Sequence, residues 1–228
     1  MEKLDTIAEQ IRAQFDARTA ARDQALAQAR ALTRACSQAI RAVHRDEDEA
    51  MNKHLGEAHK LAESLRSDLM KQHTDLYYAG YTQDALKEFV EASVTCALIK
   101  NQPLLDPQEL DVEYNTYLNG IAEVIGELRR RSLDILRHGY SAEAERLLTC
   151  MDDIYSILVT MDYPDAITNG LRRQTDVARS IIERTRGDIT FSLRGEYLER
   201  AISRLSKQIS GDAGPNGPVL KHFGSEDE

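Results

Sequence analysis

YNTYLNGIAEVIGELRRRSLDILRHG, residues 114–139, is the stretch whose reading decides the fold. Tyr117, Ile121, Val124 and Leu128 recur at helical spacing, as do Leu118, Ile125 and Leu136. Gly139 is placed as a helix stop, with Arg137 and His138 in the last turn, where cations suit the dipole. Gly120, Glu123, Glu127 and Arg130 fall three or four apart on a third face. Two carboxylates one turn apart repel, and the pattern has two readings. One is a solvated face. The other is a shared Mg²⁺ or Mn²⁺, with Gly120 leaving room for a substrate to approach.

The rest of the chain is read outward from this helix. Residues 3–44 form a first long helix with an apolar stripe of Leu4, Ile7, Ile11 and Phe15, continued by Leu32, Cys36, Ile40 and Val43. Beside it Arg30, Arg34, Gln38, Arg41 and Arg45 make one basic edge. It serves either as a soluble face or as a phosphate rail. Asp46–Glu49 reads as a capping box for a second helix reaching to about Gly80. Its inner face is Leu55, Ala58, Ala62, Leu65, Leu69 and Leu76. Residues 80–100 form a third helix, with Thr82 as N-cap. Glu88 and Glu91 interrupt its apolar run of Leu86, Phe89, Val90 and Val94, and a carboxylate so flanked needs a partner or a metal.

A loop holding Pro103 and Pro107 leads into the 114–139 helix. Ser141 caps the next one, with Asp152 and Asp153 on its solvated side. Pro164 suits the helical start that follows. A helix or helix pair then covers 165–208, with Gly187 marking the break in the case of a pair. Residues 209–228 are rich in Gly and Pro with an acidic end, and read as a mobile tail. The expected architecture is all-α, a single-domain bundle of six or seven long helices over residues 1–208.

Composition narrows the function. The 228 residues carry a net charge of −9, so any nucleic-acid site must be a local basic patch. Three scattered cysteines lack metal spacing and suit a reducing cytoplasm. No apolar run has the length of a membrane span, and the N-terminus lacks an apolar signal core. There is no Gly-rich phosphate loop, and no Glu precedes a histidine by three residues as in di-iron bundles. His44, His54, His59 and His73 are accordingly read as ordinary.

Four stretches carry a family resemblance: AIRAVHR (39–45), ALKEFVEA (85–92), YLNGIAEVIGELRR (117–130) and GLRRQTDVARSIIERT (170–185). In order and spacing they resemble the translin family over nearly the whole chain, and within it the branch of translin-associated factor X. The resemblance implies an all-helical subunit of a hollow homo-octamer. It also implies an Mg²⁺-dependent endoribonuclease acting on single-stranded RNA. Its catalytic, metal-binding acids match Glu88, Glu91, Glu123 and Glu127. The family often has Asp where this chain has Glu123. On this reading Arg30, Arg34, Arg41 and Arg45 guide RNA. Arg130 either holds the scissile phosphate or pairs with Glu127. Single-stranded DNA and RNA duplex ends are further ligands of the same chemistry. Two other classes compete: a non-catalytic RNA- or DNA-binding scaffold like translin itself, and a helical interaction protein whose acids form structural ion pairs.

Overall fold

The computed structural model describes residues 2–212 and is helical throughout its ordered elements. The helices are α1 (Glu2–His44), α2 (Asp48–Met70), α3 (Thr74–Tyr77), α4 (Gly80–Ile99), α5 (Tyr114–Leu136), α6 (Ala142–Leu158), α7 (Asp165–Thr168) and α8 (Leu171–Asp212). Among the described residues six are long, α3 and α7 are single turns, and no strand is present. The expected bundle of long helices is therefore the observed one.

Packing follows the apolar faces. α1 lies between α2 and α4, α4 packs on α5, and α5 holds α6 and α8. Leu32, Cys36 and Val43 of α1 are fully buried, as are Leu86, Phe89 and Val90 of α4 and Val124, Ile125 and Leu128 of α5. Polar locks fix the helices against one another. Arg129 Nη1 donates to Thr185 Oγ1 at 3.0 Å and to Asp188 Oδ2 at 2.8 Å, tying α5 to α8. Arg131 grips both carboxylate oxygens of Asp46 and reaches the His44 carbonyl at 3.2 Å, tying α5 to the end of α1.

Several local expectations change. The second helix stops at Met70, and Leu76 is buried from the separate turn α3. The Asp46–Glu49 run does not cap through a side chain. Glu47 is the N-cap residue, and Asp46 adopts a positive φ of 57° in the turn. Thr82 lies inside α4, whose N-cap is Ala79, and its hydroxyl donates to the Leu76 carbonyl at 2.8 Å. Thr82 thus joins α3 to α4 instead of opening α4. Ser141 does cap α6, accepting from the Glu143 amide. Asp152 is not merely solvated, since Arg186 of α8 bonds both its oxygens at 2.8 Å. α8 passes Gly187 without a break, and Thr185 and Ile189 on either side are buried. Gly139 follows the end of α5 with φ of 108°, as a helix stop requires. The expected tail is helical as far as Asp212 and otherwise lies outside the described residues.

Gly120 carries the main correction. A Cβ there would sit 2.6 Å from Val90 Cβ and 3.0 Å from the Lys87 carbonyl oxygen. The glycine is not an opening for substrate. It is where α4 presses against α5, and only a residue without a side chain permits that approach.

Candidate metal and nucleic-acid site

The close contact at Gly120 sets the register of two acidic faces. From α4, Glu88 and Glu91 stand one turn apart, and from α5 Glu123 stands one turn beyond Gly120. One carboxylate oxygen from each of these three residues lies within 4.8 Å of the others, and all three side chains are partly buried. Lys87 Nζ donates to Glu123 Oε1 at 2.7 Å, and Gln174 Nε2 of α8 donates to the same oxygen at 3.2 Å.

The electrostatics are those of crowded anions. Burial, followed by the charges of Glu88, Glu123 and Glu127, pushes Glu91 up to about 8. Burial and then Glu123 raise Glu88 as well. Burial alone would lower Lys87, but its bond to Glu123 and that carboxylate's charge outweigh it and hold the ammonium above its usual range. Three oxygen donors at this spacing, with the Lys87 ammonium bonded to one of them, suit a hard divalent cation.

Glu127 has different company. His44 Nε2 lies 2.6 Å from Glu127 Oε2, and Arg130 Nη1 lies 3.6 Å from the same atom. The His44 bond, against the effect of burial, holds Glu127 below the usual carboxylate range, with Arg130 adding to it. A carboxylate kept ionised only accepts, so the imidazole donates. The His44 side chain is 3% exposed, and its Nδ1 has no hydrogen-bond partner among the described residues. The structure thus brings Glu88, Glu91 and Glu123 together, with Glu127 one turn further along α5 on its own partners.

The expected RNA-contacting arginines divide similarly. Arg30, Arg34 and Arg41 are exposed along α1 and Arg45 is exposed in the turn that follows it, and Arg41 Nε donates to the Ser37 carbonyl. Between Arg41 and Arg45 lies His44, the last residue of α1, which meets Glu127. Arg130 is half exposed and makes the ion pair with Glu127 that was one of its two readings. His44, Lys87 and Gln174 were not singled out by sequence. A search for local His and Glu spacing cannot find a pair 83 residues apart.

No family model matches the chain. An uncharacterized protein of Methanocaldococcus jannaschii, MJ0175, is 32% identical over 178 residues, which is 77% of this chain and 78% of that protein. The crystal structure of AfC3PO superposes with a TM-score of 0.75 at 30% identity, over 82% of this chain and 97% of that one. A structure of AfC3PO in complex with duplex RNA gives 0.73 at 30% identity, over 82% and 96%. Apo-NeC3PO, at 21% identity and a TM-score of 0.74 over 81% and 96%, shares the fold. With nearly all of AfC3PO matched in both sequence and fold, the chain belongs to the translin-like C3PO family.

Proposed function

We propose that this chain is a metal-dependent endoribonuclease that cuts single-stranded RNA inside a hollow homo-octamer, as in the branch of translin-associated factor X. The observation that carries the reading is the Glu88, Glu91 and Glu123 group, three carboxylates from two helices whose oxygens converge within 4.8 Å. These three would hold Mg²⁺ or Mn²⁺. A divalent cation bound there would lower the pKa of a coordinated water and offset charge on the scissile phosphate.

The chain's own residues do the remainder. Glu91, whose proton is held by burial and the neighbouring carboxylates, would have to release it to serve as a ligand to a cation bound there. Lys87 and Gln174 orient the Glu123 carboxylate. His44 fixes Glu127 as an ionised acceptor one turn along α5 from Glu123. Arg130 and the α1 edge of Arg30, Arg34, Arg41 and Arg45 supply positive charge for the phosphate backbone on a chain of net charge −9. AfC3PO captured with duplex RNA supports an RNA ligand.

A non-catalytic RNA- or DNA-binding scaffold has one observation in its favour: Lys87 already gives Glu123 a countercharge. A labelled single-stranded RNA incubated with Mg²⁺, with and without chelator, separates the two. The nuclease reading expects cleavage that chelator stops and that Glu91→Gln and Glu123→Gln abolish while RNA binding persists. Cleavage by the variants at the wild-type rate, or none by the wild type, would overturn it.

A further inference from the structure

From Glu123 the surface runs back along α5 past two hollows that share walls. The nearer, of about 210 Å³, is lined by Lys87 and Gln174, the two side chains that bond Glu123, and by Gln83 and Asn169. Gln83 and Asn169 also line the second, a cavity of about 780 Å³ between the start of α5 and the turns α3 and α7. Its walls carry Tyr78, Tyr114 and Tyr163, which are 53%, 66% and 63% exposed. Tyr114 lies nine residues before Glu123 on one helix, so roughly 14 Å separates them along its axis.

The chemistry of this cavity differs from that of the α1 edge. Among the described residues no Arg or Lys lines it, and Glu113 does, so it is unsuited to phosphate. It offers aromatic rings with the amides of Gln83, Asn115 and Asn169, each both donor and acceptor. Aromatic faces with amide edges are what an unstacked nucleobase binds. Tyrosines exposed by more than half are not serving the core of this chain. The run of shared side chains leads from them to the carboxylates.

We infer that the cavity is a nucleobase subsite, in which unpaired bases of the strand lying at the carboxylates stack on Tyr78, Tyr114 and Tyr163. The inference rests on the proposed function only in placing an RNA strand at Glu88, Glu91 and Glu123.

The test measures binding of the full chain to a fluorescent mixed-sequence single-stranded RNA, by anisotropy in chelator so that nothing is cut. An abasic oligomer of equal length is the second probe. Tyr114→Ala and Tyr163→Ala are each expected to weaken the base-bearing probe on the order of tenfold. Tyr114→Phe and Tyr163→Phe restore it, and the abasic probe binds all variants alike. Alanine variants that bind as the wild type does would overturn the inference, as would equal losses for both probes. A fall in solution mass in the alanine variants would also overturn it, because the cavity would then be covered by another protein copy. The two readings fail separately. Ring-dependent binding by a chain that never cuts with Mg²⁺ removes the nuclease and leaves the subsite. Cleavage by a chain whose binding ignores the tyrosines removes the subsite alone.

Discussion

The middle of the bundle and the ends of its two longest helices are built from the same kind of apolar stripe, with opposite results. In α1, Leu32, Cys36, Ile40 and Val43 are at most 7% exposed, while Leu4, Ile7, Ile11 and Phe15 are 66%, 41%, 47% and 66% exposed. In α8, Leu171, Ala178, Ile182 and Ile189 are buried, while Leu198, Ile202, Leu205 and Ile209 are about 60% exposed. The inner halves have α2, α4, α5 and α6 to pack against. The outer halves extend past them. Periodicity states that a helix has an apolar face. It does not state whose surface covers that face. Eight large apolar side chains left in water form patches that suit burial by another subunit.

The inner region is the more sensitive to a single atom, and two glycines of α5 sharpen the point. Gly120→Ala forces Val90 and the Lys87 backbone away. The expected cost is about 1–3 kcal/mol of stability. Displacing Glu88 and Glu91 from Glu123 by even a fraction of a helix turn should lower cleavage about 100-fold. At Gly126 a Cβ would meet nothing within 4 Å among the described residues. Gly126→Ala should therefore stabilise the helix by about 1 kcal/mol. Melting temperature and cleavage rate of both variants check this. Equal behaviour of the two would mean that the contact at Gly120 does not set the site.

The outer region should respond to charge through assembly instead of folding. Leu198→Glu combined with Ile202→Glu is expected to shift the particle to a smaller species in light scattering. The fold of each subunit should persist, because these positions touch no core. If the mass is unchanged, the α8 stripe is not a contact between copies. If the chain unfolds, its outer half is more integral than its exposure indicates.

A milder probe of the inner region is pH. Burial and the neighbouring carboxylates raise Glu91 from 4.5 to about 8, and Glu88 moves in the same direction. Between those values the folded chain holds protons that the unfolded chain has released, so stability falls as pH rises through the window. Glu127, held low by His44, acts in the opposite sense but only as pH drops below its ordinary value. Lys87, held high, bears only on the alkaline side. In chelator the melting temperature should thus decline from pH 4.5 to about 8. Mg²⁺ should raise it most at the upper end, where protons no longer compete. A profile that Mg²⁺ leaves unchanged at every pH would argue against a cation among these three carboxylates.

How much of this was legible in sequence depends on range. The long helices, the Ser141 cap and the Gly139 stop follow from spacing within a few residues. The two acidic pairs also stand out locally, because Glu88 and Glu91 interrupt an apolar run. What local reading could not supply was tertiary. Gly120 looked like space for a substrate, yet its missing side chain is filled by Val90 of another helix. His44 looked ordinary because its partner, Glu127, is distant in the chain. Thr82 looked like a cap because hydroxyls favour caps, but here the hydroxyl bonds the preceding turn. Gly187 looked like a break, although packing on either side of it keeps α8 continuous.

The smallest expected effect tests the link between the two regions, the arginine edge of α1 that runs from the exposed half toward His44. Each phosphate contact that an arginine makes displaces condensed counterions, so it contributes to the slope of log K against log salt, not only to affinity. For single strands the slope changes by about 0.7 per contact. Arg34→Ala with Arg41→Ala should therefore flatten it by about 1.4 if both meet phosphates. Neither makes a side-chain ion pair among the described residues, so the double variant should leave the melting temperature nearly unchanged. A general loss of positive charge would weaken binding at low salt as well. The control is therefore Arg12→Ala with Arg18→Ala, which removes the same charge from the exposed half of α1. If that control flattens the slope equally, binding senses net charge and α1 carries no rail. If neither pair changes it, the phosphate contacts lie elsewhere, and Arg172 and Arg173, exposed at the start of α8 close to Gln174, are the next pair to substitute.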